Sequence, residues 1–117
     1  MSDINLGKAG EIIAKKFLEL EKFKIVACNY QCQIGEIDIV AYHKHILYFI
    51  EVKTRSTTDY GWPSEAVTLK KQQKLRRLSM YYLSHHPYTG PITFGVVEVL
   101  YNIWQRRYQV RLIADAF

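Results

Sequence analysis

Only three residues, His43-Lys44-His45, separate two runs of strong strand character, and so short a joint implies an antiparallel hairpin. The first run spans Glu36 to Tyr42 and the second Ile46 to Thr54. Strands this apolar are usually buried on both faces, yet charged residues interrupt each of them. Glu36 and Asp38 share one face of the first, while Glu51 and Lys53 recur at period two in the second. With the turn centred between Lys44 and His45, opposed residues have numbers summing to 89. Asp38 is then expected opposite Glu51, and Glu36 opposite Lys53, with facing Cβ atoms roughly 4.5–5.5 Å apart.

Glu36 with Lys53 reads as an ordinary cross-strand ion pair. Asp38 with Glu51 does not, because directly opposed like charges destabilise a sheet. Two carboxylates in a partly dry site cannot both ionise without a cation. Either one is protonated, or Lys53 neutralises the pair, or a divalent metal sits between them. A hard cation is typically held by one or two carboxylates together with waters and substrate phosphates. The residues alone leave a metal site and a structural salt-bridge cluster both open.

Around this hairpin the periodicities predict an α/β chain in the order α-β-β-β-α-β-β. Leu6, Ala9, Ile13, Phe17 and Leu20 form one apolar stripe on a helix from about Asp3 to Lys22, with Asp3 or Asn5 as N-cap. Lys24 to Gln33 reads as a strand ending at Gly35, and Arg55 to Trp62 as a polar loop. Pro63-Ser64-Glu65 is expected to open a second helix reaching about Ser84 and stopped before Pro87. Its core stripe is Leu75, Leu78 and Tyr82, with Lys70, Lys74 and Arg77 on another face. Ile92 to Tyr101 and Trp104 to Ala114 are strands parted by a turn near Asn102. A length of 117 residues suits one domain.

Charge divides the chain. Residues 1–60 carry eight basic and eight acidic side chains, and residues 61–117 carry eight basic and three acidic, so the net +5 lies in the second half. Such asymmetry suits a polyanionic partner. No apolar run approaches the ~20 residues of a membrane span, and no secretory signal precedes the first helix, so a cytoplasmic protein is expected. Cys28 and Cys32, four apart in an extended stretch, would lie about 13 Å apart, too far for a disulfide. They read as thiols in a reducing compartment.

Asp38, a twelve-residue gap and then Glu51-Val52-Lys53 resembles the D-x(n)-E-x-K signature of the PD-(D/E)xK nuclease superfamily. The surroundings sharpen the likeness: Gly10-Glu11, Gly35-Glu36-Ile37-Asp38, Thr54-Arg55, the GWPSEAV stretch from Gly61 to Val67, Lys70 to Leu75, and Ala116-Phe117. Together they are similar to the bacterial YraN family of small endonuclease-like proteins, themselves similar to archaeal Holliday junction resolvases. The resemblance implies a restriction-endonuclease-like mixed β-sheet flanked by helices. It further implies a DNA endonuclease dependent on Mg²⁺ or Mn²⁺, acting at branched or junction structures, with a homodimer expected by analogy. Asp38 and Glu51 would then ligate the metal, Glu11 would add a further metal contact, and Lys53 would serve the attacking water and scissile phosphate. Thr54, Arg55, Lys70, Lys74 and Arg77 are the expected nucleic-acid contacts. Two departures stand out: Gln31 and Gln33 occupy positions expected to be basic, and Gly95 a position expected to be acidic. The alternative reading is a catalytically inactive nucleic-acid-binding protein that retains the nuclease fold.

Overall fold

A computed structural model describes residues 6–57 and 67–117. The elements are α1 (Leu6–Leu20), β1 (Lys24–Cys32), β2 (Gly35–His43), β3 (Ile46–Thr57), α2 (Leu69–His85), β4 (Ile92–Asn102) and β5 (Arg107–Ile113). The sheet order is β1-β2-β3-β4-β5. Every neighbouring pair is antiparallel except β3 and β4, which run parallel. A parallel pair needs a crossover connection, and α2 lies on that crossover. The α/β architecture and element order expected from the sequence are those observed. No described helix is long and apolar enough to cross a membrane.

Each face of the sheet carries its own core. On one face Ala14 and Leu18 of α1 pack with Phe23, Ile39, Ala41, Tyr48, Ile50, Val97 and Val99. On the other, Leu75, Leu78 and Tyr82 of α2 pack with Ile37, Val40, Leu47, Phe49 and Phe94. Covering both faces explains why β2, β3 and β4 read as nearly continuous apolar runs. The β2–β3 turn is as tight as the sequence implies, since His43 pairs with Ile46. Lys44 and His45 both adopt positive φ, 49° and 68°, the backbone of a two-residue turn that follows the natural twist of the strands. Tyr88 Oη braces it by donating to the His45 carbonyl at 2.6 Å.

Two helix expectations are corrected. The fully buried stripe of α1 is Gly10, Ala14 and Leu18, with Ile13 and Phe17 flanking it and Leu20 79% exposed. Small side chains face the sheet because the helix lies close to it. A Cβ added at Gly10 would collide with Thr54 of β3, reaching its Oγ1 and coming within 2.8 Å of its Cβ and Cγ2. As for α2, its first residue is Leu69. Thr68 is extended and caps it, its side chain accepting from the Lys71 amide. The proposed caps Asp3 and Asn5, the stretch 58–62 and the expected helix opening at Pro63-Ser64-Glu65 lie outside the described residues. Arg55 to Thr57, expected in a loop, continue β3 because β4 keeps pairing with them as far as Thr57–Asn102.

Gly10→Ala should therefore destabilise the protein by about 1–3 kcal/mol through overpacking, despite alanine's advantage of about 1 kcal/mol in a helix interior. Thr54→Ala in the same chain should restore part of the loss, since it removes Oγ1 and Cγ2 but keeps the Cβ that also lies close. Urea midpoints of the two single variants and the double variant check this; additive losses would refute the contact.

Candidate metal and phosphate site

The hairpin register sums to 89, but it does not continue to the carboxylates. Paired rungs run from His43–Ile46 to Ile39–Ile50 and stop. Beyond that point β2 stays with β1, down to Cys32–Gly35, while β3 stays with β4. The two strands part, and Asp38 lies in the fork. It forms no rung with Glu51; its Oδ2 accepts the Val52 backbone amide at 2.8 Å instead. A carboxylate thus satisfies an amide that β2 no longer reaches.

The fork brings a different trio together. Glu11 of α1, Glu36 and Asp38 each offer a carboxylate oxygen, and these oxygens lie within 4.8 Å of one another. Glu11 is placed by its neighbour Gly10, whose close approach to Thr54 sets the helix on the sheet. Glu36 therefore faces Glu11 and not the predicted partner Lys53. Asn29 of β1 closes the group. Its left-handed backbone, φ 53°, is a conformation asparagine tolerates better than most residues. With its amide nitrogen turned inward, it donates to Glu36 Oε1 at 2.7 Å and Glu11 Oε1 at 2.9 Å.

Electrostatically the trio is under load. Burial pushes the Asp38 carboxyl up to about 6, and the charges of Glu11, Glu51 and Glu36 push the same way, against the Val52 hydrogen bond. Burial also raises Glu11, with Glu36 adding to the shift and Lys8 opposing it. Oxygen ligands at this spacing suit a hard divalent cation such as Mg²⁺ or Mn²⁺. Such an ion would offset the burial cost and the repulsion that together lift Asp38, so the donor set fits it.

Glu51 stands across the fork. With Asp38, Glu36, Lys71 and Lys74 it lines a cleft on the α2 side of about 190 Å³. Lys71 Nζ lies 4.0 Å from Glu51 Oε1. Lys74 leans over Gly35, where an added Cβ would come within 3.0 Å of its Cε. Lys53, on the same face of β3 as Glu51, sits beside Glu98 in the parallel ladder, and the Glu98 carboxylate is held by Arg111 at 3.0 Å.

The expected nucleic-acid contacts are dispersed. Lys74 reaches the cleft, whereas Lys70 and Arg77 are exposed on α2 without lining it. Thr54 turns toward α1 beneath Gly10, and Arg55 follows it on β3. Gly95 is buried beside Ile50, and a side chain there would press on Leu112, whose Cδ1 lies 3.3 Å from an added Cβ. Gln31 lies 3.5 Å from Glu36 Oε2. Sequence reasoning did not single out Asn29 or Lys71. The one local signal for Lys71 was its spacing from Lys74 and Leu75, which puts it at the border of the core stripe.

A family model described as "Uncharacterised protein family UPF0102" matches residues 10–99. Among similar proteins is a UPF0102 protein of Caldicellulosiruptor saccharolyticus, 36% identical over 118 residues that cover 100% of both chains. One from Clostridium botulinum is 38% identical over 115 residues, 97% of this chain and 94% of the relative. One from Clostridium perfringens is 39% identical over 114 residues, 97% of this chain and 93% of the relative. With the family model spanning most of the sequence and relatives this similar over nearly their whole length, the chain belongs to the UPF0102 family.

Proposed function

We propose that this protein is a metal-dependent endonuclease of the PD-(D/E)xK type that hydrolyses DNA phosphodiester bonds. The observation that carries the reading is the trio Glu11, Glu36 and Asp38 gathered at a fork whose other bank holds Glu51 and Lys53. Glu11, Glu36 and Asp38 would hold the ion, with Glu51 facing them across the cleft. A bound Mg²⁺ or Mn²⁺ supplies Lewis-acid polarisation of the phosphate and a lowered pKa for water. Lys53 contributes a positive charge on the face of β3 that carries Glu51, where negative charge develops on the phosphate in the transition state. Lys71 and Lys74 make the α2 wall of the cleft attractive to a phosphate backbone. These contacts favour backbone recognition over base reading.

Metal-dependent cleavage of a panel of linear and branched DNAs tests the reading, alongside calorimetric titration with Mn²⁺. Uptake of the ion followed by strand scission on any member supports it. Ion and DNA binding without scission, under conditions where the fold is intact, would replace it with the inactive binder.

The phosphate wall has its own signature. Neutralising Lys71 and Lys74 to glutamine should lower the log–log salt slope of DNA binding by about 0.9 for each phosphate that no longer meets a cation. Affinity measured across a salt series reads this directly. An unchanged slope would move the DNA-binding surface away from α2.

A further inference from the structure

The far end of the parallel ladder carries a feature that the cleft does not use. Between β4 and β5 the chain turns at residues 103–106, and the turn presents Trp104 at 75% exposure and Ile103 at 47%. Just below, Tyr101 and Tyr108 form a paired rung, with ring centroids 4.8 Å apart at 44°. Arg106 and Arg107 are exposed beside them. From residue 99 to 114 there are three arginines and no acidic residue. The turn is fastened from within, because Asn102, itself buried, accepts the Gln105 amide on its Oδ1 at 2.8 Å.

Aromatic rings at a fastened turn, with Arg106 and Arg107 beside them and no acid in the turn itself, match what unpaired nucleotides require. Bases stack on the rings whatever their identity, and arginines take the phosphates. The ladder also fixes where this platform lies. Ser56 pairs with Tyr101, two residues beyond the Thr54–Val99 rung that Gly10 overlies, so the tyrosine pair continues the face of Val97 and Val99 that α1 covers, the face on which Glu11 stands. At ~3.3 Å per residue that is about 7 Å along the strands from the contact that places Glu11.

We infer that the β4–β5 turn is a stacking platform for unpaired bases of a nucleic acid whose backbone lies at the Glu11, Glu36 and Asp38 trio. Trp104 and the Tyr101–Tyr108 pair receive the bases, while Arg106 and Arg107 hold the phosphates between them. The substrate class is then DNA in which duplex gives way to single strand. This inference rests on the nucleic-acid half of the proposed function, and the test separates the two.

The chain has two tryptophans, so Trp62→Phe leaves Trp104 as the sole indole reporter. In that background, a blunt DNA duplex is compared with the same duplex carrying a short single-stranded tail. The tailed DNA should quench Trp104 fluorescence and bind more tightly than the blunt form. Trp104→Ala should weaken tailed binding between about 5- and 150-fold and leave blunt-duplex affinity within about twofold. Trp104→Phe should keep most of the preference. Failure of either DNA to bind would remove the nucleic-acid reading itself. Equal quenching by both DNAs, or tailed binding indifferent to Trp104→Ala, would overturn only the platform. A self-association abolished by Trp104→Ala, with tailed binding unchanged, would overturn it too and make the turn a contact between copies.

Discussion

Asp38→Asn should invert the stability order of variant and wild type according to whether divalent metal is present. The Asp38 carboxyl titrates near 6 in the folded chain, against an ordinary value of 3.8. The folded state therefore holds its proton over a range where the unfolded chain has lost it, and stability falls as pH rises from about 4 to about 6. Above that window the ionised carboxylate costs at most about 3 kcal/mol, and less where solvent screens its open side. Asparagine removes the charge and keeps an oxygen for the Val52 amide. Without metal, the variant should melt above the wild type at pH 7 and level with it below about pH 4. Saturating Mn²⁺ should reverse this, because an ion that binds only the folded wild type adds about 4.1 kcal/mol at a thousand times its Kd, while the variant gains little. The same substitution should cost several kcal/mol of transition-state stabilisation, a fall in cleavage on the order of 10³-fold. Melting curves at several pH values, with chelator and with Mn²⁺, read the inversion. Parallel stabilisation of both proteins by Mn²⁺ would place the ion elsewhere.

Lys53→Ala should dissociate two properties that Asp38→Asn removes together. If Lys53 acts on the phosphate and not on the ion, the variant keeps its calorimetric uptake of Mn²⁺ and its metal-dependent rise in Tm. Cleavage at saturating DNA should fall about 10²- to 10³-fold, the usual cost of removing one electrostatic contact to developing charge. Single-turnover rates, which exclude product release, are the appropriate measure. Loss of metal uptake in parallel with rate would assign Lys53 to the ion's surroundings. An unchanged rate would leave Lys71 and Lys74 as the cations that matter.

Legibility in the sequence followed the range of the interactions involved. The register of the β2–β3 hairpin could be read because a two-residue turn leaves little freedom, and Val40–Phe49 and Ile39–Ile50 pair as the turn dictates. The fork could not be read. It depends on β3 holding to β4 while β2 holds to β1, and both pairings bring together residues that no local pattern links. Glu36 shows the consequence: alternation puts it correctly on a face with Asp38, but only the packing of α1 decides that Glu11 lies there. Thr68 illustrates the opposite error. Pro63-Ser64-Glu65 is a plausible helix opening on local grounds, yet the cap formed is the one five residues nearer the core stripe that begins at Leu75.

The hydrogen bond from the Val52 amide to Asp38 makes position 38 a poor subject for truncation scanning. Its side chain takes the place of an absent strand partner as well as bearing the charge, so shortening it leaves a main-chain donor without its acceptor in a half-buried setting, a loss of about 1–3 kcal/mol. Asp38→Ala would thus lower activity through a loosened β3 as well as through a missing ligand, and a dead variant would say nothing about which. Only an isosteric replacement separates the two contributions. Any survey of this family that scores position 38 by alanine alone will count architecture as chemistry.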